Sequence, residues 1–227
     1  MHTKILVIGQ SGSGKSTSLR NFNKGEVKDT FLINVLGKPL PFKGAKKQFP
    51  TVRDVENKED VRQVITRSKD EIIKILKWCN SIEAIKNIVI DDYVYITSLD
   101  MLSRSDEKGF DKFTDFAKNM IEPLMLELRE DITLIVMTHP DFDIIDGKRF
   151  IKPKTLSKFV DEKVVFEGMF TFVFESMVKD DGNGIKYMFL TNSPNECHIA
   201  KTPMGYFEEL YIDNDLSNIV EYIRKEN

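Results

Sequence analysis

Apolar residues occur along this chain in short uninterrupted runs that alternate with longer amphipathic stretches. The runs cover residues 4–8, 30–35, 85–92 and 132–137. Runs of this length, rich in Val and Ile, are typical of strands buried on both faces of a parallel sheet. Between them, residues 60–79 and 111–129 carry apolar side chains at helical spacing, and Pro123 kinks or divides the second helix. The pattern predicts an α/β fold in which helices flank a mostly parallel sheet.

The pattern changes after residue 140, where a polar loop over residues 141–154 is expected. The elements predicted beyond it are a long strand over 164–174 with Gly168 as a site for a bulge, a turn over 180–184, a returning strand over 185–190 and a helix over 216–223. The two strands would form a C-terminal β-hairpin. We therefore expect a single domain over residues 1–227, with a core over about 1–140 and a β-rich extension over about 150–227.

Composition restricts the function classes. The chain has 227 residues, and 33 Lys and Arg against 36 Asp and Glu give a net charge of −3, so nucleic acid could be bound only through local basic patches. Cys79 and Cys197 are too few for a disulfide framework and are expected as reduced thiols. Neither a basic-then-apolar leader nor a membrane-length apolar stretch is evident, which predicts a cytoplasmic protein with no membrane partner.

A glycine-rich motif follows the first predicted strand and opens a predicted helix over residues 16–22. It reads Gly9, Gln10, Ser11, Gly12, Ser13, Gly14, Lys15, Ser16 and Thr17. This is the P-loop pattern, in which backbone N–H groups surround a β-phosphate, the lysine neutralises the β- and γ-oxygens and the serine joins a Mg²⁺ shell. The dipole of the following helix would favour the same anion. All nine residues are therefore candidate nucleotide ligands, with ATP and Mg²⁺ as the expected cofactors.

The apolar run 85–90 ends in Asp91-Asp92. A buried strand that ends in Asp downstream of a P-loop matches the Walker-B pattern, so Asp91 is the predicted carboxylate on the Mg²⁺ side, opposite Ser16. Asp92 has two interpretations: a helix-capping or solvated acid, or the base that orients attacking water. The sequence leaves both open.

The strand over 132–137 is followed by Thr138 and His139. His139 is either an ordinary structural histidine or a sensor of the γ-phosphate at the end of the strand after Walker B. A loop over 36–47 carries four lysines after the second strand, and it is either a solvated turn or a ligand loop at the sheet edge. These alternatives also remain open.

The order of P-loop, Ile88-Val89-Ile90-Asp91-Asp92 and Ile135-Val136-Met137-Thr138-His139 resembles the RecA-like ATPase core. More narrowly, the segments 32–42, 166–170 and 200–208 resemble phage-encoded AAA-type nucleotide-binding proteins related to the RecA-like single-strand annealing proteins of phage recombination. The resemblance covers nearly the whole chain.

The resemblance implies an ATP-dependent protein that binds single-stranded DNA in phage recombination or replication, as an oligomer or filament, in the host cytoplasm. Phage recombination or single-strand-binding proteins would be its partners. Carried over by position, Gly14, Lys15 and Ser16 bind phosphate and Mg²⁺, Asp91 is the Walker-B acid and His139 is the sensor. With Asp92 as the candidate base, the catalytic candidates are Lys15, Asp92 and His139. One departure is evident: RecA-like enzymes usually carry a catalytic Glu at the end of the second strand, where this chain has Asn34-Val35-Leu36. Hydrolysis therefore either uses Asp92 or is slow.

Two further alternatives concern the basic residues and the class of activity. Lys152 and Lys154 belong to a solvated or DNA-contacting loop, or they complete the site of a neighbouring subunit as cations in trans. A P-loop small-molecule kinase would need an arginine-rich lid, and only Arg149 lies near the expected place. A nucleotide-dependent assembly switch with little hydrolysis fits the absence of the glutamate.

Overall fold

The centre of the protein is an eight-stranded sheet, seen in a computed structural model that describes residues 2–109, 111–156, 158–180, 182 and 184–226. Its strands are β1 (Thr3–Ile8), β2 (Thr30–Asn34), β3 (Gln63–Ile65), β4 (Asn87–Asp91), β5 (Thr133–Thr138), β8 (Phe172–Asp180), β9 (Ile185–Leu190) and β10 (Tyr211–Asp213), and a separate pair comprises β6 (Pro140–Ile145) and β7 (Lys148–Pro153). The spatial order is β10-β9-β8-β1-β5-β4-β2-β3. The six strands β8, β1, β5, β4, β2 and β3 each run parallel to the next one in this order. Strand β9 is antiparallel to both of its neighbours, β8 and β10.

Helices cover both faces of this sheet. They are α1 (Ala45–Gln48), α2 (Lys69–Ser81), α3 (Tyr95–Ser103), α4 (Asp111–Ile121), α5 (Lys158–Lys163) and α6 (Leu216–Glu226). One apolar cluster joins α2, α3 and α4 to the sheet, and a second joins α6 to the opposite face. Successive strand residues alternate between the clusters, as Leu6 and Val7 of β1 do. In the described part of the chain, no helix has both the length and the apolar character needed to cross a membrane.

The strand order confirms the predicted fold class. The glycine-rich loop follows β1, Asp91 ends β4 and Asp92 follows it, and β5 lies between these two strands. The sheet is mostly parallel, helices flank it, and β8 and β9 form the predicted C-terminal hairpin. The chain thus has an α/β fold with a RecA-like P-loop core. The hairpin extends the same sheet because β8 pairs with β1, whereas Asp181 and Asn183 of its predicted turn lie outside the described residues.

The helix predicted over residues 16–22 is wrong in extent. A 3-10 helix covers only Ser16–Leu19, and turns follow to Asn23. Asn23 adopts a left-handed conformation, with φ of 54°, and its side-chain amide donates to the carbonyls of Thr30 and Gln48 at 2.7 and 3.0 Å. These bonds turn the chain back toward β2 instead of allowing another helical turn. Four residues carry little helix dipole, so the predicted contribution of a helix dipole to anion binding is small.

The helix predicted over 60–79 begins later, at Lys69. Residues 63–65 form β3 instead, and Arg62 N donates to Pro50 O at 2.9 Å, which holds the chain extended along β2. Ser68 then caps α2 by accepting a hydrogen bond from Glu71 N at 3.4 Å. The helix predicted over 111–129 is also too long: α4 ends at Ile121, a 3-10 helix that contains Pro123 covers Glu122–Met125, and residues 126–129 are not helical.

Two predictions after residue 140 are also corrected. The expected polar loop is the hairpin β6–β7, whose turn contains Asp146 and Gly147, both at positive φ. The long strand expected over 164–174 begins only at Phe172, because Phe166–Met169 form a 3-10 helix. Phe166 is buried against the first apolar cluster, and this packing favours a helical turn over continuation of the strand.

Candidate functional site

The loop Gly9–Thr17 lies at the carboxyl end of β1, and its shape depends on glycine. Gly14 has φ of 100°, and a Cβ atom there would lie 2.6 Å from Cδ1 of Tyr187 on β9. A Cβ atom on Gly9 would lie 2.7 Å from the carbonyl oxygen of Ser176 on β8. Both distances are shorter than a carbon atom tolerates, so these positions admit only glycine without rearrangement.

Lys15 is the buried cation of this loop, with 6% of its surface exposed. Its Nζ donates to the carbonyl oxygens of Gly9 at 2.7 Å and Gln10 at 3.1 Å. Burial lowers the pKa of Lys15, although the charges of Asp91 and Asp92 act in the opposite direction. The loop therefore holds the ammonium group against its own backbone.

Ser16 and Asp91 are brought together from positions 75 residues apart in the chain. The Ser16 hydroxyl donates to Asp91 Oδ2 at 2.7 Å, and Asp92 N donates to Asp91 Oδ1 at 2.9 Å. Burial raises the pKa of Asp91 and the charge of Asp92 adds to this, while Ser16 and Lys15 act against it. A hydroxyl and a carboxylate in contact offer the oxygen ligands that Mg²⁺ prefers.

Asp92 lies beside this pair in a left-handed conformation, with φ of 61°. Its Oδ2 lies 3.1 Å from Lys38 Nζ, and its Oδ1 lies 3.3 Å from His139 Nε2. Burial raises the pKa of Asp92, but the contacts with His139 and Lys38 outweigh it, so the pKa lies below its ordinary value. The structure thus gives Asp92 two basic neighbours.

His139 follows β5 and lies next to Asp92, as parallel strand ends at one sheet edge require. Its ring meets the Tyr95 ring edge-on at a centroid distance of 5.9 Å. Its carbonyl oxygen accepts a hydrogen bond from Lys154 N at 2.9 Å. The histidine is therefore fixed on one side by α3 and on the other by the chain that leaves β7.

These groups surround a cavity of about 290 Å³. Its walls are formed by Ser11, Gly12, Gly14, Lys15, Ser16, Thr17, Lys38, Pro39, Leu40, Pro41, Asp91, Asp92, His139 and Tyr187. The structure therefore brings the predicted loop, the two aspartates and the histidine into one site. In the described residues, Lys152 and Lys154 are not part of the cavity wall, and Lys152 Nζ donates to Asp143 Oδ1 at 2.8 Å.

Three contributors to this site were not singled out from the sequence. Lys38 was one of four lysines in the loop after β2, and nothing distinguished it from the others. Tyr187 had no signal beyond its place in a predicted hairpin strand. Ser176 donates from its hydroxyl to Ser13 O at 2.7 Å, so that β8 supports the glycine-rich loop. Each of these contacts joins distant parts of the chain.

No protein-family model and no curated protein match this chain. Among solved structures, it is similar to a KaiC-like protein from the hyperthermophilic archaeon Pyrococcus horikoshii OT3, with 15% identity over 88% of this chain and 82% of that chain and a TM-score of 0.49. It is also similar to the flagellar accessory protein FlaH from Methanocaldococcus jannaschii, with 14% identity over 82% and 76% of the two chains and a TM-score of 0.40. Both TM-scores lie below 0.5. The fold therefore rests on the chain itself: a mostly parallel sheet with flanking helices, and a glycine-rich loop of P-loop sequence after β1.

Proposed function

We propose that the chain binds ATP together with Mg²⁺ in the cavity beside the glycine-rich loop. The observation that carries the proposal is the hydrogen bond from Ser16 to Asp91 Oδ2. In P-loop proteins, the corresponding hydroxyl and carboxylate hold the metal ion. The fold places both residues at one edge of the sheet, and the hydrogen bond brings their two oxygens within reach of a single metal ion.

The residues present fit a triphosphate and its metal. Gly9 and Gly14 leave no room for a Cβ atom because the loop packs against β8 and β9, and this packing fixes the conformation of the loop. In the described residues, the buried hydroxyl of Ser13 has no hydrogen-bond partner, so a polar group is available inside the loop. Lys15 and Lys38 supply positive charge on the cavity wall.

Each residue of the site has a proposed role. Lys15 transfers its hydrogen bonds from the loop carbonyls to phosphate oxygens, and Ser16 and Asp91 hold the metal. Magnesium would neutralise phosphate charge when bound. Asp92 and His139 are the candidates for orienting water and sensing the terminal phosphate.

Hydrolysis by the free chain is expected to be slow. Both oxygens of Asp92 already face basic groups, and its pKa is lowered, which makes it a weak general base. Asn34 occupies the place at which RecA-like enzymes carry a glutamate, and its side chain is engaged in the loop after β2.

Replacing Asp91 by Asn is expected to remove the Mg²⁺ dependence of ATP binding. The substitution keeps the size of the side chain and removes the charge that favours a divalent cation. The wild-type chain should bind ATP at least about tenfold more tightly with Mg²⁺ than with EDTA, a difference of about 1.4 kcal/mol. Calorimetric titration of Asp91→Asn should give equal affinities under both conditions. A variant that still gains the full benefit of Mg²⁺ would exclude Asp91 as the metal ligand.

The proposal extends to single-stranded DNA binding in phage recombination or replication, by an oligomer or filament. It is supported by the resemblance of the sequence and by the basic residues of the loop after β2 and of the β6–β7 hairpin. Lys148 and Arg149 are exposed near the tip of this hairpin, and Lys154 at its base is hydrogen-bonded to the carbonyl of His139. DNA bound along the hairpin would thus lie close to the nucleotide site.

Single-stranded DNA is expected to stimulate ATP hydrolysis, and DNA affinity should fall steeply as salt rises because phosphate contacts release counterions. The measurement is ATP turnover with and without DNA, together with DNA affinity at several salt concentrations. Lys15→Met serves as the control, since its turnover should vanish. Turnover only with a small acceptor would favour the kinase instead, and tight ATP binding without DNA-dependent turnover would favour the assembly switch.

A further inference from the structure

Lys38 is a cation on the wall of the phosphate cavity that the proposed roles of the P-loop do not use. It lies on the loop after β2, across the cavity from the glycine-rich loop. Its Nζ lies 3.1 Å from Asp92 Oδ2 and 5.5 Å from the centroid of the Tyr95 ring. Its side chain is 60% exposed, whereas that of Asp92 is only 10% exposed. The ammonium group is therefore paired, but its stem is free to move.

The backbone that carries Lys38 is fixed from within the sheet. Asn34, the last residue of β2, is 1% exposed. Its side-chain amide donates to Lys38 O at 2.8 Å, and its Oδ1 accepts from Gly37 N at 2.8 Å. Gly37 has φ of 68°, which the tight turn between these residues requires. A rigid base and a long flexible side chain allow the ammonium group to move within the cavity without movement of the loop.

The charges around the cavity are compatible with a second cation that contacts phosphate. Lys15 is the cation of the glycine-rich loop, and by the P-loop pattern it reaches the β- and γ-oxygens. A terminal phosphate carries more negative charge than this one lysine neutralises. Proteins that bind or transfer phosphoryl groups commonly place further cations beside that phosphate. Among the described residues, Lys38 is on the cavity wall, whereas Lys152 is not. The structure therefore offers a cation in cis.

We infer that Lys38 is a second cation for the terminal phosphate, held by Asp92 when no nucleotide is present and passed to that phosphate when ATP binds. Asp92 then acts as a positioning residue, because it holds the ammonium group of Lys38 beside the position that the terminal phosphate would occupy. A diphosphate ends before this place, so Lys38 makes the site prefer ATP to ADP. This inference rests on the proposed function and names the residue that discriminates between the two nucleotides.

The test compares the affinities of wild-type chain and Lys38→Ala for ATP and for ADP, both with Mg²⁺, by calorimetric titration. Loss of a charged hydrogen bond to phosphate should weaken ATP binding by about tenfold to 100-fold, and ADP binding should change by less than about threefold. Lys38→Arg keeps the charge and should retain most of the preference for ATP. Lys43→Ala is the matched control, because it removes an exposed lysine of the same loop that does not line the cavity.

Each outcome separates this inference from the proposed function. Loss of ATP affinity alone in Lys38→Ala would support it. Equal losses for ATP and ADP, or affinities unchanged from the wild type, would overturn the role of Lys38 and leave nucleotide binding intact. Absence of nucleotide binding by the wild-type chain would instead overturn the proposed function. Thermal melting without nucleotide should show a lower midpoint for Lys38→Ala than for Lys43→Ala, because only Lys38 pairs with the nearly buried carboxylate of Asp92.

Discussion

Lys15→Met is expected to weaken binding of ATP with Mg²⁺ by at least about 100-fold, equivalent to about 3 kcal/mol. Lys15 is buried and donates two hydrogen bonds to the loop carbonyls, which a phosphate would take over at no cost in reorganisation of the loop. Methionine has a similar length and no charge. Phosphate would then face the carbonyl oxygens of Gly9 and Gln10 without the intervening cation, so the substitution both removes an attraction and leaves a repulsion.

The same substitution should leave the fold intact. Methionine fills the space of the lysine side chain, and Lys15 belongs to neither apolar cluster of the core. Thermal melting without nucleotide should therefore give a midpoint close to that of the wild type, with Lys46→Met, an exposed lysine, as the control for removal of a charge. ATP affinity within threefold of the wild type would refute the assigned role of Lys15.

Among substitutions that add a single methyl group to the glycine-rich loop, we expect Gly14→Ala to lower stability and ATP affinity most. It combines a φ of 100°, which costs other residues about 1–3 kcal/mol, with a contact of 2.6 Å to the Tyr187 ring. Relief requires movement of the loop or of β9, and either movement disturbs the phosphate cradle. We expect a lowered free energy of unfolding and a loss of ATP affinity of about tenfold or more, measured by denaturant titration and calorimetry.

Gly12→Ala is the matched control for this prediction. Gly12 also has a positive φ, of 81°, but a Cβ atom there meets nothing within 4 Å, so only backbone strain is added. The double variant Gly14→Ala/Tyr187→Ala removes the ring and should recover part of the lost stability. Gly14→Ala with wild-type stability and ATP affinity would contradict the described packing of the loop against β9.

The buried strands were predictable because their signal is local. The apolar runs of β1, β4 and β5 are uninterrupted, as burial on both faces demands, and the glycine-rich loop and Asp91 are attached to their ends. Parallel strands then place these ends at one edge, so the pairing of Ser16 with Asp91 could be expected. It is confirmed as a contact, whereas its role in metal binding stays a proposal.

The errors arose where tertiary contacts override a local pattern. The segment after the P-loop has a helical start, but Asn23 binds carbonyls of β2 and α1 and turns the chain. The β6–β7 hairpin carried a turn signal at Asp146-Gly147, which its many charged residues obscured. The contact between Lys38 and Asp92 depends on the order of β2 and β4 in the sheet, which no local pattern encodes.

The central claim is that a nucleotide and its metal bind between the glycine-rich loop and Asp91. A crystal structure of the chain with Mg²⁺ and a non-hydrolysable ATP analogue tests it most directly. The account predicts phosphates against the backbone of residues 12–16, with the metal in contact with the Ser16 hydroxyl and on the side of Asp91. Nucleotide bound elsewhere, or a cavity that stays empty at saturating ligand, would contradict it.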